Sequence, residues 1–182
     1  MVIDYLLARS VCDNFGVVYF YFNYSEPNQS ESDIMACLLK QLLCQLDFLP
    51  TEIESIYEAA VTRFLRPKTS ELVDAFKKCA ARHFPTTFVV LDGLDEWITN
   101  PVEGIISLVQ RFTSPSVKVM LTMRRHLSYL QSHFDSITVL SISAKEEDIE
   151  KHIRQVLNIK RNISARFLDE IVDKISRQAK GM

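Results

Sequence analysis

The 182 residues carry 21 Lys and Arg against 23 Asp and Glu, a formal net charge of −2, and 47% of them are hydrophobic. That balance argues against nucleic acid or an anionic membrane as a charge-steered partner. The chain is long enough for one cored domain rather than two, and it lacks the roughly 18 consecutive apolar residues that a membrane helix needs.

In chain order, Val2, Ile3, Leu6, Leu7 and Val11 recur at helical spacing, which predicts a helix over 2–13. No start signal precedes it, as expected of a chain that begins in mid-fold. Gly16 then opens Val17–Phe22, a β-branched and aromatic run that reads as a buried strand. After a polar loop, Ser30 with Asp33 forms a capping-box pattern for a helix carrying Ile34, Leu38, Leu39, Leu42, Leu43 and Leu46. A second amphipathic stretch runs from Glu52 to Phe64, and Ser70 is placed to cap a third, ending near His83.

The four cysteines, Cys12, Cys37, Cys44 and Cys79, include no C-x-x-C pair. Cys37 and Cys44 lie seven apart and are expected to share one buried helix face, as small core hydrophobes in a reducing compartment.

Thr87–Leu91 is an unbroken β-branched and apolar run that stops at an acid. So short a run predicts a strand buried on both faces, within a parallel sheet covered by helices. Asp92, Gly93, Asp95 and Glu96 follow at its carboxyl end, where open α/β sheets place their ligands. Three crowded carboxylates favour a site holding a cation or sharing a proton. The plainer alternative is that they cap the next turn and helix.

Asn100-Pro101-Val102-Glu103 is helix-start chemistry for a helix ending near Phe112. Val117–Thr122 and Ile137–Leu140 read as further short strands. Ser143 with Glu146, and then Ser164, are placed to cap two last helices reaching about Leu157 and Ala179. Strands alternating with helices predict a three-layer α/β sandwich with a parallel sheet.

The string Val89-Val90-Leu91-Asp92-Gly93-Leu94-Asp95-Glu96 resembles the Walker B segment hhhhDGhDE of the NACHT domain in STAND-class P-loop NTPases, in its nephrocystin-type form. Leu121-Thr122-Met123-Arg124 resembles the family's sensor 1 segment, hhhT-S-R, with Met123 in place of serine. Asp148-Ile149 with His152-Ile153 resembles the first helix of its small helical subdomain, with His152 read as half-buried packing.

The resemblance implies a P-loop NTPase-like core over 1–143 and the start of the helical subdomain over 144–182. It implies Mg²⁺ with ATP or GTP as the cofactor, with Asp92 holding the metal and Thr122 contacting the nucleotide. Asp95 and Glu96 would orient or activate the attacking water, and Arg124 would reach a γ-phosphate.

A P-loop requires G-x-x-x-x-G-K-S/T, and none of Gly16, Gly93, Gly104 and Gly181 precedes a lysine. The resemblance therefore starts after the family's first strand, which lies between the strands matching Val117–Thr122 and Ile137–Leu140. Without that strand, backbone groups in mid-sheet go unpaired, at about 1–3 kcal/mol each against a stability of about 5–15. The isolated chain is expected to be marginal, to rearrange, or to take a strand from another chain.

The expected function is a fragment of a cytoplasmic, signal-transducing NTPase that by itself binds nucleotide at most feebly and does not hydrolyse it. The alternative is a non-catalytic interaction module that keeps the fold. Protein partners or self-association through this domain are expected in either case.

Overall fold

A computed structural model describes residues 2–26, 29–97, 102–124, 132–134, 137–142, 145–159 and 165–179. The expected helix start at Asn100-Pro101 and the caps at Ser143 and Ser164 lie outside them. The chain divides into two compact units, 1–133 and 134–182.

The first unit runs α1 (Val2–Asp13), β1 (Gly16–Tyr21), α2 (Glu31–Leu43), α3 (Thr51–Arg63), α4 (Thr69–His83), β2 (Thr87–Asp92), a one-turn 3₁₀ helix (Leu94–Glu96), α5 (Val102–Phe112) and β3 (Val117–Leu121). The three strands form one parallel sheet in the order β1-β2-β3. In β1 the neighbours Val17 and Val18 are both buried, and so are Val89, Val90 and Leu91 in β2. Successive side chains point to opposite faces, so both faces of these strands are covered. β3 differs: its Lys118 and Met120 are exposed. The described fold is thus α/β, with a three-stranded parallel sheet and helices.

Helix α2 starts as its cap predicts: Asp33 N–H donates to Ser30 Oγ, and the Asp33 carboxylate accepts from Ser30 in return. It buries Ile34, Met35, Leu38, Leu39 and Leu42. Gly16 is required for its approach, because a Cβ there would lie 2.8 Å from Leu42 Cδ1. Across the core the rings of Phe76 (α4) and Phe112 (α5) meet edge to face at 5.8 Å. Both are fully buried, each contributing roughly 1.5–3 kcal/mol through its apolar area.

One edge of the sheet is closed by side chains. Gln45 Oε1 accepts from Val17 N–H at 2.9 Å, and its Nε2 donates to Val17 C=O at 2.7 Å. Gln41, one helical turn earlier, does the same to Tyr19 at 3.0 and 2.8 Å. Gln41 in the last turn of α2 and Gln45 just past its end, four residues apart, thus match alternate residues along β1, and the two amides stand in for a neighbouring strand.

Three sequence expectations are corrected in this unit, and two helices prove poorly covered. α2 ends at Leu43 rather than Leu46, so Cys44 leaves the buried face and is exposed, while Cys79 is buried. α4 starts before Ser70, because Glu71 reaches back to the Lys68 N–H at 2.7 Å and takes over the capping. β3 ends at Leu121, one residue short of the expected Thr122. The apolar residues of α1 are mostly exposed, with only Ile3 buried. α3 buries nothing fully, and Tyr57 and Val61 face solvent.

In the second unit α6 (Glu146–Ile159) packs on α7 (Ala165–Ala179), burying Ile153 and Val172. Arg154 pairs with Asp169 across them at 2.9 Å. His152 is exposed rather than half-buried. Ile137–Leu140 is not a strand: β-branched composition favours extension, but no described strand pairs with it, and Leu140 is 80% exposed.

Candidate functional site

The parallel register pairs Leu91 with Leu121, so the next residues, Asp92 and Thr122, meet side by side at the carboxyl ends of β2 and β3. The Thr122 hydroxyl donates to Asp92 Oδ1 and accepts the Gly93 N–H at 3.0 Å. Thr122 backbone donates to Leu91 C=O and accepts from Leu94 N–H, both at 3.0 Å. A single threonine therefore carries the sheet pairing past its last strand residue and orients the carboxylate.

Gly93 turns the chain out of β2 at φ +76° and ψ +41°, a left-handed conformation that costs an L-residue roughly 1–2 kcal/mol. Its Cβ position is open, the nearest atom being Phe22 C=O at 3.5 Å. Backbone conformation, not crowding, selects glycine here. The turn leads into the 3₁₀ helix that carries Asp95 and Glu96.

Both of those acids face Arg124. The Arg124 backbone N–H donates to Asp95 Oδ1 at 3.1 Å, and its Nη2 donates to Glu96 Oε1 at 2.9 Å. Asp95 Oδ2 lies 3.9 Å from Nε. The Arg124 side chain is 78% exposed against 27% and 23% for the two acids. The pairs are therefore screened, and each is worth at most about 1 kcal/mol.

The three acids do not converge on one point. Asp92 is held by a hydroxyl, while Asp95 and Glu96 are held by a guanidinium. Among the described residues no group of three or more His, Cys, Asp or Glu could hold a metal ion together. Asp92 and Thr122 do offer two hard oxygens side by side, a donor set that suits Mg²⁺, which takes few protein ligands and keeps its waters or substrate oxygens. Asp92 and Thr122 thus form one hydrogen-bonded pair, and Asp95, Glu96 and Arg124 a second group beside it in the chain. Arg125 and His126 lie outside the described residues.

An aromatic wall beside this site was not foreseen. Phe22, just past β1, stacks on Trp97 at 5.2 Å, and its backbone N–H donates to Asp92 C=O at 2.9 Å. Trp97 is buried, and its indole N–H donates to Gln29 C=O at 2.8 Å. A lone tryptophan directly after an acidic turn was the available signal, since its bulk has to be buried somewhere close.

A family model described as nephrocystin 3, N-terminal, matches residues 1–124, a span that holds β1 to β3 and all five site residues. No curated protein and no solved structure matches the chain significantly.

Proposed function

The chain belongs to the nephrocystin 3 N-terminal family, and on that premise we propose that it is part of a NACHT-type, signal-transducing NTPase. Its acid site is the remnant face of a nucleotide-dependent switch. The observation that carries this reading is the Thr122–Asp92 hydrogen bond, which joins the DGLDE segment to the LTMR segment at the ends of adjacent strands.

In this reading Asp92, oriented by Thr122, holds Mg²⁺ with ATP or GTP, and the ion would supply charge neutralisation at the phosphates. Gly93 keeps the approach free of a side chain. Asp95 and Glu96 hold Arg124 at the rim, from which its exposed guanidinium can reach an anionic group by exchanging partners. Binding by this chain alone is weak, because nothing in its sequence supplies the glycine-rich cradle and lysine that grip β- and γ-phosphates. A cytoplasmic setting completes the reading, and the four free cysteines support it.

Calorimetric titration with Mg-ATP and Mg-GTP, with and without EDTA, tests the proposal. The expected result is Mg²⁺-dependent binding with a dissociation constant on the order of millimolar, lost in Asp92→Asn. Micromolar affinity would contradict the statement that the cradle is missing. No Mg²⁺-dependent heat would remove the nucleotide reading itself.

The second reading, a non-catalytic interaction module, is favoured by the pairing of Arg124 with Asp95 and Glu96, which already satisfies charges that a nucleotide would otherwise engage.

A further inference from the structure

The 3₁₀ turn that carries Asp95 and Glu96 is three residues long. Two backbone bonds close it, Glu96 N–H to Gly93 C=O at 2.8 Å and Trp97 N–H to Leu94 C=O at 3.3 Å. Hydrogen-bond geometry in so tight a turn is poor, and the pairs with Arg124 are screened. What fixes the two acids is therefore the apolar residue on either side of them. Leu94 is 3% exposed and Trp97 6%, while the Asp95 and Glu96 side chains between them keep 27% and 23%. Two buried anchors present two partly exposed carboxylates.

The anchors attach to different strands. Leu94 N–H donates to Thr122 C=O at 3.0 Å, which ties the front of the turn to the chain leaving β3. Trp97 ties its back to β1, on the other side of β2. The indole packs on Phe22, the residue after β1, at 5.2 Å, and Phe22 meets Phe20 of β1 edge to face at 5.1 Å. A buried tryptophan has to satisfy its N–H, and here the acceptor is Gln29 C=O at 2.8 Å. Gln29 stands immediately before Ser30, the cap of α2.

We propose that Trp97 is the positioning residue of the acid turn, coupling the placement of Asp95 and Glu96 to Phe22 at the exit of β1 and Gln29 at the entry to α2. The proposal rests on the reading of these acids as the ones that serve a nucleotide, but the coupling itself involves only this chain. A shift of Phe22 or Gln29 moves the back of the turn, and with it Glu96 relative to Arg124. Asp92, held by Thr122, stays in place. The acids are thus set from two sides of the sheet at once.

Amide hydrogen exchange, followed by NMR on the 182-residue chain, tests this. Trp97→Phe keeps an apolar ring and loses the indole N–H; Phe22→Leu acts from the β1 side. The amides of Glu96 and Arg124 report on the turn and its grip, since they donate to Gly93 C=O and Asp95 Oδ1. Those of Val89 and Val90, in the strand paired on both sides, report on global stability. Phe76→Leu, which weakens the core between α4 and α5, is the control.

The expected result is that Glu96 and Arg124 exchange about fivefold faster in Trp97→Phe and in Phe22→Leu, beyond any change at Val89 and Val90. In Phe76→Leu they keep native rates. Native rates at Glu96 and Arg124 in Trp97→Phe would overturn the proposal. So would rates that rise only in step with Val89 and Val90, because Trp97 would then be ordinary core. A response to Trp97→Phe without one to Phe22→Leu would overturn the coupling to β1. These outcomes are read without nucleotide and stand apart from the calorimetric test. The expected exchange pattern together with no Mg²⁺-dependent heat would remove the nucleotide reading and leave the positioning role intact.

Discussion

Replacing Thr122 by valine removes one hydroxyl and nearly nothing else, since the two side chains have almost the same shape. That hydroxyl is the donor to Asp92 and the acceptor for Gly93 N–H. The first bond is charge-assisted, a class worth about 1.5–3 kcal/mol. The second is between neutral groups, worth about 0.5–1.5 kcal/mol. Both partners are only half-buried, so water can recover part of what is lost, and the two terms share an atom and do not simply add. The expected loss is about 2 kcal/mol, a large fraction of a typical stability of about 5–15.

Urea unfolding followed by the fluorescence of Trp97 measures it directly. This is the only tryptophan, it is buried, and it lies five residues from Asp92. With a slope of about 2 kcal/mol per molar, the midpoint should fall by about 1 M without a change in slope. Thr122→Ser keeps the hydroxyl and should lose less than half as much. In the double variant with Asp92→Asn, Thr122→Val should have a smaller effect than it has in the native background. Equal losses in the valine and serine variants would refute the argument, because they would mean that the methyl group, not the hydrogen bonds, supports the site. So would a valine variant within about 0.5 kcal/mol of the native chain.

Two further outcomes are expected. Gln41→Leu with Gln45→Leu strips four backbone hydrogen bonds from β1. It should lower stability by about 2–4 kcal/mol and make the chain aggregate through the uncovered edge, as read by urea unfolding and light scattering; an unaggregated double variant of native stability would refute the edge-closing role. Burial pushes the Cys79 thiol up to about 11, so the folded state holds its proton at pH values where the unfolded chain has released it. Stability from this group is complete below about pH 9 and declines as pH rises toward 11. Unfolding midpoints should fall across that window in the native chain and stay flatter in Cys79→Ala, and Ellman's reagent should modify Cys12 and Cys44 well before Cys79.

What could be read from the sequence follows a physical line. β2 was legible because Thr87–Leu91 has no polar interruption and is buried on both sides, so composition alone defines it. The start of α2 was legible because Ser30 and Asp33 satisfy its first donors locally. Gln41 and Gln45 were not, since two amides at and just past the end of a leucine-rich helix have no meaning until a strand edge lies opposite them. Ile137–Leu140 misled for the converse reason: it has strand composition, and strands exist only in pairs. α3 was legible as a helix but not as an exposed one, because amphipathicity shows that an apolar face exists without showing what covers it. Asp92 and Thr122 could be joined only through motif resemblance. Their meeting depends on a parallel register set by residues 87–91 and 117–121, which no local pattern specifies.

That register also sets how firmly the site is held. Ser116 and Thr122 both bond toward β2, so by alternation the backbone groups of Val119 and Leu121 point to the other side of β3. No described strand lies there. The sheet is therefore asymmetric: its β1 edge is closed by two glutamines, while its β3 edge has no comparable seal among the described residues. Thr122 and Arg124 are carried by the chain leaving that second strand, held to the rest of the unit by pairing on one side. Anything that adds to the far edge of β3 would stiffen the half of the site that bears the threonine and the arginine, leaving Asp92, on the central strand, where it already is. Strand addition at that edge would therefore act on the geometry between Asp92 and Thr122, through the one hydrogen bond that joins them.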